Sequence, residues 1–308
     1  MPQLRAGTCA IVGRPNVGKS TLLNRILGEK LAIVTPKPQT TRNRIMGIKN
    51  LPGRAQIVFV DTPGIHAGRG ALNRYMVEQA LAALEQVDVV VYMVEAPRPP
   101  DRFVLERLAP VRRPVLCVMN KIDLVKNKND LLPRIEALAR EMRFAEIIPL
   151  SATAGDGVDR VLDAVVARLP EAAPLYPEEM LTDVAERFLV AEFIREQVFL
   201  LARDEVPYST AVTIENWQEK APEPPHDGEP SAEERRADIF IDATIHVERD
   251  SQKTILVGRG GKVIKEIGTR ARAEMMRLLG VPVHLKLFVR VDPDWSRSQG
   301  TLRRMGYE

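Results

Sequence analysis

The sequence contains little that would support a disulfide-bonded or metal-bound scaffold. Only Cys9 and Cys117 are present among 308 residues, and both lie inside apolar, strand-like runs. A disulfide framework is therefore excluded, and we expect both cysteines to be buried, reduced thiols. The four histidines are scattered along the chain and form no cluster that predicts a metal site or a catalytic centre.

Long apolar segments are missing as well. No run approaches the roughly 18 apolar residues that a membrane-spanning helix needs, and the longest candidate, residues 87–94, already contains Asp88. The N-terminal segment lacks the basic stretch followed by an apolar stretch that marks a secretion signal. We therefore expect a cytoplasmic protein.

The remaining composition is that of an ordinary globular protein, with 45% hydrophobic and 28% charged residues. A length of 308 residues favours two domains. The net charge is only +3, but residues 257–308 carry eleven Lys or Arg against five Asp or Glu. This basic C-terminal tract favours a polyanionic partner, and a solvated basic face explains it equally well.

Strand-like and helix-like segments alternate through the first part of the chain. Buried strands are predicted for TCAIV, QIVFV, DVVVYMV, PVLCVMN and EIIPL, and a less buried one for RIMGIKN. Helical spacing of apolar residues occurs in residues 20–27, 71–84, 101–108, 130–142 and 158–169. The alternation predicts a doubly wound, mostly parallel α/β sheet over residues 1–172, with ligand sites at the carboxyl ends of the strands.

The second part is ordered differently. A proline-rich stretch around residues 170–177 predicts a linker, whose bounds we set at 173–180. Residues 181–308 then predict an α+β domain of order α-β-β-α-α-β, with a helix over 183–201 and strands at STAVTIEN, DIFIDATIHVE, KTILV and HLKLFVRV. Residues 218–236 are rich in Glu and Pro and predict an exposed insertion, to which we assign no function.

Residues 13–20, GRPNVGKS, match the pattern G-x-x-x-x-G-K-[ST] directly between a predicted strand and a predicted helix. Glycines let such a loop wrap phosphates, and the amides at the helix start point at the anion. Lys19 is then placed to reach the β and γ phosphates, and Ser20 to offer its hydroxyl to Mg²⁺. A glycine-rich turn without a ligand is the structural alternative.

Three further elements favour guanine over adenine. In DTPG, Asp61 is placed to hold Mg²⁺ through water, and the amide of Gly64 to sense the γ-phosphate. In NKID, the carboxylate of Asp123 can accept from both N1–H and the exocyclic amine of guanine, a pattern that adenine does not present. In LSA, the amide of Ala152 is placed to meet the guanine oxygen. A buried acceptor paired with the wrong base stays unsatisfied, so one carboxylate discriminates strongly.

These elements resemble the translation-factor-like GTPases, and PNVGKS together with QTTR resembles the Era family. The resemblance implies Mg²⁺-dependent hydrolysis of GTP to GDP and phosphate. It also implies that the threonine before arginine closes over Mg²⁺ and the γ-phosphate; Thr41 is the matching position, and Thr40 is less favoured. The expected catalytic residues are Lys19, Thr41 and Gly64, and the expected Mg²⁺ ligands are Ser20, Thr41 and Asp61. The expected nucleotide-binding residues are Gly13, Arg14, Pro15, Asn16, Val17, Gly18, Lys19, Ser20, Thr21, Asp61, Thr62, Pro63, Gly64, Asn120, Lys121, Asp123, Ser151 and Ala152.

One position departs from the Ras-like GTPases. They carry glutamine directly after DxxG to orient the attacking water, whereas this chain has Ile65. An aliphatic side chain cannot hydrogen-bond to water, so we expect slow intrinsic hydrolysis or help from another group. Asn16 is the candidate, because in related GTPases an asparagine there helps to bind K⁺, which supplies positive charge between the phosphates. We hypothesise that K⁺ accelerates hydrolysis; a loop-shaping role for Asn16 is the alternative.

The segment VGRGGKVIKEIG contains the G-x-x-G arrangement of the KH module, in which two helices meet at a loop that clamps a nucleic-acid backbone. Glycine permits close approach, and Arg259 and Lys262 supply charge to phosphates. The expected RNA-binding residues are Gly258, Arg259, Gly260, Gly261, Lys262 and Lys265. Five aliphatic residues are expected to form a hydrophobic platform under the bases, although most of their surface belongs to the core. They are Ile255, Val257, Val263, Ile264 and Ile267. A helix–turn–helix core with a glycine turn is the alternative.

The resemblance to the Era family covers the chain from end to end, apart from residues 218–236. It implies a ribosome-assembly GTPase that binds the 3′ end of small-subunit ribosomal RNA, with GTP and GDP, that RNA and the small ribosomal subunit as partners. It also implies a peripheral contact with the inner face of the cell membrane; we expect a monomer. Near the C-terminus, Trp295 is expected to cap the core rather than to stack on a base. Two alternatives stay open: an RNA-binding module with a nearly inert GTPase, and a membrane-surface GTPase.

Overall fold

Six strands form one sheet in the first part of the chain. The computed structural model describes residues 4–67, 70–220, 237–297 and 299–307. The strands are β1 (Arg5–Gly13), β2 (Ile45–Leu51), β3 (Ala55–Asp61), β4 (Val89–Glu95), β5 (Val115–Asn120) and β6 (Glu146–Pro149). Their order in the sheet is β2-β3-β1-β4-β5-β6. Only β2 runs antiparallel to its neighbour.

Among the described residues of this part, five α-helices pack on the sheet; the first four connect strands, and the fifth follows β6. They are α1 (Lys19–Leu27), α2 (Ala71–Glu85), α3 (Arg102–Leu108), α4 (Leu131–Glu141) and α5 (Val158–Val166). Because helices cover the sheet, every residue of β3, β4 and β5 is buried, which explains their continuous apolar runs. The predicted doubly wound, mostly parallel sheet is confirmed.

The two cysteines lie in this core, as expected. Cys9 and Cys117 are free thiols with no exposed surface. Burial in an apolar environment disfavours the thiolate and raises the pKa of Cys117 to about 12. Neither thiol is therefore a nucleophile at neutral pH.

Strand order places the expected motifs together. Residues 13–20 run from the last residue of β1 into α1. The DTPG motif begins at the last residue of β3, NKID begins at the last residue of β5, and LSA follows β6. Strands β3, β1, β4, β5 and β6 are consecutive neighbours and parallel, so their carboxyl ends form one edge. All four motifs therefore lie at the same edge of the sheet.

The segment that was predicted to be a linker is bound to this sheet. The chain divides into two units between Val184 and Ala185, so residues 173–180 belong to the first unit. The buried Gln56 on β3 accepts hydrogen bonds from the amides of Leu175 and Tyr176 and donates to the carbonyl of Tyr176. Proline-rich backbone without its own periodicity is thus satisfied by side chains of the sheet.

The second unit contains a three-stranded sheet and four helices among its described residues. Its elements are α6 (Glu186–Leu201), β7 (Ala211–Lys220), β8 (Asp238–Val247), α7 (Asp250–Val257), α8 (Lys262–Leu279), β9 (Val283–Val291) and α9 (Gln299–Arg304). The strand order is β7-β8-β9; β7 and β8 are antiparallel, and β8 and β9 are parallel. The predicted KH-type order α-β-β-α-α-β is confirmed.

Two local predictions need revision in this unit. KTILV was predicted to be a strand and is the end of α7, because Gln252 and Leu256, four residues apart, are the side chains that this helix buries. Of the predicted insertion, residues 218–220 belong to β7. The remainder, residues 221–236, lies outside the described residues.

Trp295 is a core residue. Its side chain has no exposed surface, its Nε1 donates to the Ser209 carbonyl at 2.9 Å, and its ring stacks on Tyr307 with 5.8 Å between centroids. The expectation that it caps the core is confirmed. Within the described parts of the chain, no helix combines the length and the apolarity that crossing a membrane requires.

Candidate functional site

The loop between β1 and α1 surrounds a buried lysine. The side chain of Lys19 is 6% exposed, and its Nζ donates to the carbonyls of Arg14 at 3.0 Å and Gly13 at 3.4 Å. Burial lowers the pKa of Lys19 to about 8, and the charge of Asp61 opposes that shift. Gly18 adopts a φ of +102°, and a Cβ there would collide with the carboxamide of Asn120. The loop therefore needs glycine here and presents a cation to the cavity that it borders.

Three oxygen-bearing side chains meet beside this lysine. Ser20 Oγ donates to Asp61 Oδ2 at 2.6 Å and lies 2.9 Å from Thr41 Oγ1, which is itself 3.4 Å from Asp61 Oδ2. Thr40 instead donates to the carbonyl of Lys37 at 2.8 Å. The expected set of Ser20, Thr41 and Asp61 is therefore assembled, and Thr41 rather than Thr40 belongs to it.

Asp61 shows that this set fits a divalent cation. The carboxylate is completely buried, and its Oδ1 has no hydrogen-bond partner within the described residues. Burial raises the pKa of Asp61 above its ordinary value, while the charge of Lys19 and the hydrogen bond from Ser20 oppose that rise. A buried carboxylate with an unsatisfied oxygen is costly unless a cation or water meets it. Hydroxyl and carboxylate oxygens are the ligands that Mg²⁺ prefers.

A second group of contacts builds the base-recognition side. Asn120 is buried; its Nδ2 donates to the Val17 carbonyl at 2.7 Å, and its Oδ1 accepts from the Ala152 amide at 2.9 Å. The Ala152 amide was expected to meet the guanine oxygen, and here it braces Asn120 instead. The exposed Asp123 accepts from the hydroxyl of the buried Ser151 at 2.6 Å. That bond fixes the orientation of the carboxylate that is expected to select guanine.

Lys121 ties this side to the phosphate side. Its backbone has a φ of +64°, and its Nζ donates to the Asn16 carbonyl and to Glu95 Oε1, both at 2.7 Å. Glu95 also pairs with Arg98 at 3.1 Å. The lysine of the NKID motif therefore links the loop after β5 to the loop after β1 and to the end of β4.

The DTPG loop lies directly against the loop after β1. A Cβ on Gly64 would fall 2.7 Å from Pro15, so only glycine permits this approach. The Ile65 amide donates to the Gly13 carbonyl at 3.0 Å, and the Ile65 side chain is buried in the core. Thr62 turns its hydroxyl to the Ile11 carbonyl at 2.8 Å. Thr62 is thus a structural residue of the loop, and the position of Ile65 offers no polar side chain to the cavity.

The side chains of two other expected residues, Asn16 and Arg14, have partners within the protein. Asn16 Nδ2 donates to the Pro36 carbonyl at 2.8 Å, with a φ of +63° at Asn16. Arg14 pairs with Asp101 at 3.1 Å. Arg14 can therefore contribute only its backbone to a nucleotide in this arrangement, whereas Asn16 borders the cavity.

The space between these loops is a cavity of about 500 Å³, a volume suited to a small ligand. Its lining from the expected set consists of Pro15, Asn16, Gly18, Lys19, Ser20, Thr21, Thr41, Gly64 and Lys121. Asp123, Ser151 and Ala152 do not line it. Ser20 and Thr41 of the Mg²⁺ set thus line the same cavity as the phosphate-side residues, and the buried Asp61 accepts hydrogen bonds from both of them without lining it. Asp123, which is expected to recognise the base, lies outside this lining.

The G-x-x-G segment lies between α7 and α8. Gly258, Gly260 and Gly261 have φ values of +70°, +61° and +75°, a region that glycine occupies without strain. Arg259 and Lys262 are exposed beside them. A Cβ on Gly260 or Gly261 would meet no atom within 4 Å, so this side of the loop is open and leaves room for another chain to approach it.

A groove of about 360 Å³ is lined by residues of α8, the helix that follows this loop, and of β9. Its lining consists of Ile264, Lys265, Gly268, Thr269, Arg272, Leu285 and Leu287. The expected platform is only partly present, because Ile264 lines the groove, Ile267 is fully buried and Ile255 is 49% exposed away from that lining. A Cβ on Gly268 would lie 3.3 Å from Leu287, so glycine keeps the groove open.

Comparisons with known proteins agree with both sites. One family model, described as 50S ribosome-binding GTPase, matches residues 8–121, and another, described as KH domain, matches residues 227–296. The GTPase Era of Geotalea uraniireducens is 51% identical over 309 residues, covering 99% of this chain and 99% of that protein. The chain belongs to the Era family. The GTPase Era of Lacticaseibacillus paracasei is 47% identical over 310 residues, with coverage of 100% and 98%.

Two solved Era structures share the fold over almost the whole chain. An Aquifex aeolicus Era variant bound to GDP.AlF4⁻ has a TM-score of 0.90 and 42% identity, covering 98% of this chain and 99% of that one. Era in complex with MgGDPNP and nucleotides 1506–1542 of 16S ribosomal RNA has a TM-score of 0.90 and 42% identity, with coverage of 99% of each chain. Membership of the Era family makes this chain a GTPase.

Several residues at the sites of this Era-family chain were not predicted from the sequence. Glu95 and Gln39 line the nucleotide cavity, and Leu285 and Leu287 line the groove. Glu95 could have been predicted as a site residue, because it is a carboxylate at the carboxyl end of an apolar strand. Alternation along β9 predicts which of its residues share a face, but it does not show that Leu285 and Leu287 border a groove.

Proposed function

We propose that this protein is a GTP-hydrolysing switch that binds the 3′ end of small-subunit ribosomal RNA and acts in small-subunit assembly. The observation that carries the proposal is the pair of sites in one chain: the Ser20–Thr41–Asp61 set beside Lys19, and an open G-x-x-G loop followed by a helix that lines a groove. The Era complex with MgGDPNP and a 16S ribosomal RNA fragment supports it. That RNA partner also supports a cytoplasmic location.

We assign the steps of hydrolysis to residues in and around the cavity. The amides at the start of α1 and the ammonium of Lys19 hold the phosphates, and Asp123 selects guanine. Ser20 and Thr41 would ligate Mg²⁺ directly and Asp61 through water, and the ion would supply positive charge to the phosphates. Water attacks the γ-phosphorus, the bond to the β–γ bridging oxygen breaks, and no covalent intermediate is needed. Release of phosphate then frees Thr41 and Gly64.

We also propose that K⁺ accelerates this step through Asn16. The carboxamide of Asn16 borders the cavity and contacts the Pro36 carbonyl at 2.8 Å, so rotation of the amide would bring two oxygens toward one cation. We expect turnover about tenfold higher in KCl than in NaCl at matched ionic strength, because a cation there stabilises charge in the transition state. Asn16→Ala should remove the difference. Equal turnover of the unchanged protein in the two salts would refute this role.

The RNA site is tested by acidic substitution in the G-x-x-G loop. Replacing Arg259 and Gly260 by Asp should lower affinity for an RNA of the 16S 3′-terminal sequence about a hundred-fold, because carboxylates would face phosphates. Binding is measured by fluorescence anisotropy at fixed salt, with GTP turnover as a check on the first unit. The control replaces the exposed Arg303 and Arg304 by Asp, which removes slightly more positive charge than the loop variant does. Equal losses in both variants would show that only overall charge matters.

The remaining parts of the proposal are a monomeric state and a peripheral contact with the inner membrane face. The basic residues on α8 and β9 support an anionic partner of either kind. Binding to anionic vesicles that exceeds binding to the RNA at physiological salt would favour the membrane-surface alternative. Turnover that stays negligible with RNA present would favour an RNA-binding module with an inert GTPase. Light scattering of the purified chain measures the oligomeric state.

A further inference from the structure

The residue after DTPG, Ile65, cannot orient the water that attacks the γ-phosphate. In Ras-like proteins a glutamine there orients the water that attacks the γ-phosphate. Here Ile65 is completely buried in the apolar core, so its side chain cannot reach that water. A polar group that orients the water must therefore come from another segment that borders the cavity.

Gln39 borders the cavity together with Lys19, Thr41 and Gly64. It lies two residues before Thr41 on the loop between α1 and β2 and has a φ of +61°. Left-handed backbone is strained for a residue with a long side chain, and such strain collects at functional sites. The loop therefore holds Gln39 in a conformation that local preference alone would not select.

His66 fixes the carboxamide of Gln39. The Nε2 atoms of the two side chains are 2.9 Å apart, and His66 Nδ1 lies 3.0 Å from the Gly64 carbonyl oxygen. A carbonyl only accepts, so Nδ1 carries a hydrogen, and Nε2 of the neutral ring then accepts from the Gln39 amide. The amide nitrogen of Gln39 is thus engaged, and its Oε1 is left to accept a hydrogen bond from another donor.

The same contacts fix the Gly64–Ile65 peptide. Its carbonyl accepts from His66 at 3.0 Å, and its amide donates to the Gly13 carbonyl at 3.0 Å. The loop after β3 is therefore held at both ends of this peptide group, and His66 joins it to Gln39. The imidazole thus joins the loop before β2 to the loop after β3, and the Ile65 amide joins the loop after β3 to Gly13 at the end of β1.

We propose that Gln39 supplies the carboxamide that orients the attacking water, and that His66 is its positioning residue. Gln39 Oε1 accepts a hydrogen bond from the water and takes no proton. The water oxygen bonds to the γ-phosphorus, the bond to the β–γ bridging oxygen breaks with its electron pair going to GDP, and the proton of the water passes to the released phosphate. The inference rests on the GTP hydrolysis proposed above and names a further catalytic residue for it.

The test compares single-turnover hydrolysis of bound GTP with nucleotide affinity. Gln39→Ala should lower the hydrolysis rate constant about a hundred-fold and change affinity for a fluorescent GTP analogue by less than about threefold, because the carboxamide acts on the transition state. Gln39→Asn should lose a similar amount; asparagine tolerates left-handed backbone, so this variant keeps the loop conformation. His66→Ala should lose about tenfold, and His66→Gln, which can still accept from Gln39, should recover most of the rate.

Tyr75→Phe is the matched control. The hydroxyl of Tyr75, in α2, donates to Asn43 at 2.7 Å and so joins the loop before β2 to that helix. Tyr75 does not line the cavity. We expect its rate within about threefold of the unchanged protein. Unaltered hydrolysis by Gln39→Ala, or equal losses in Gln39→Ala and Tyr75→Phe, would overturn the contact with water. Absence of hydrolysis in the unchanged protein would instead refute the proposed function itself.

Discussion

Replacing Lys19 by alanine should lower affinity for both GTP and GDP by at least about a hundred-fold. The ammonium is held in the loop after β1 by two backbone carbonyls and lies in the cavity where phosphates would bind. Removing one partner of a buried, hydrogen-bonded charge pair costs about 2–5 kcal/mol, and 1.4 kcal/mol corresponds to tenfold. Isothermal titration or fluorescent GDP displacement measures the loss.

Lys126→Ala is the control for that measurement. Lys126 is exposed on the loop that follows NKID and does not line the cavity, so its removal changes net charge equally but should leave affinity within about threefold. RNA affinity should be the same in Lys19→Ala and in the unchanged protein when both are free of nucleotide. Nearly full GDP affinity in Lys19→Ala would contradict the assignment of this cavity to phosphates.

The nucleotide motifs could be predicted because phosphate and guanine chemistry demands particular residue types at fixed offsets. Gly18 must leave space for Asn120, Gly64 must approach Pro15, and Asp61 must carry a carboxylate at a strand end. The residue types that meet these demands recur at fixed offsets, so they can be recognised in the sequence before the contacts themselves are known. The strand–helix alternation then placed these motifs at one edge of a parallel sheet.

Contacts between loops that are distant along the chain could not be predicted in the same way. Nothing in the spacing of Gln39 and His66, 27 residues apart, shows that their side chains meet. Likewise, Gln56 in β3 binds the segment near Tyr176, 120 residues later, and so draws a supposed linker onto the sheet. Both depend on how separate segments pack, which local periodicity does not encode.

The end of α7 shows a different limit. The run TILV has the β-branched and apolar composition of a strand, yet it continues a helix that begins at Asp250. In this helix Leu256 is buried while Ile255 is 49% exposed. Short apolar runs do not distinguish strand from helix by themselves, and the packing of a single face decides between them. The predicted order α-β-β-α-α-β was nevertheless correct.

Replacing Asp123 by asparagine should invert the base preference from GTP to XTP. A carboxylate accepts from N1–H and from the exocyclic amine of guanine, whereas xanthine has a carbonyl oxygen in place of that amine. An asparagine offers one acceptor and one donor, which matches N1–H and the new carbonyl. The hydroxyl of Ser151 donates to Asp123 Oδ1 at 2.6 Å and would hold the asparagine oxygen in the same place, with the amide nitrogen toward the base.

The expected change in the ratio of GTP to XTP affinity is about a thousand-fold, because each mismatched base leaves a polar group of the site unpaired. Competition of both nucleotides against fluorescent GDP measures the ratio, and hydrolysis of XTP by the variant should approach that of GTP by the unchanged protein. Asp130→Asn, at an exposed carboxylate nearby in sequence, should leave the ratio unaltered. An equal loss of both nucleotides in Asp123→Asn would show that this carboxylate supports the loop rather than selects the base.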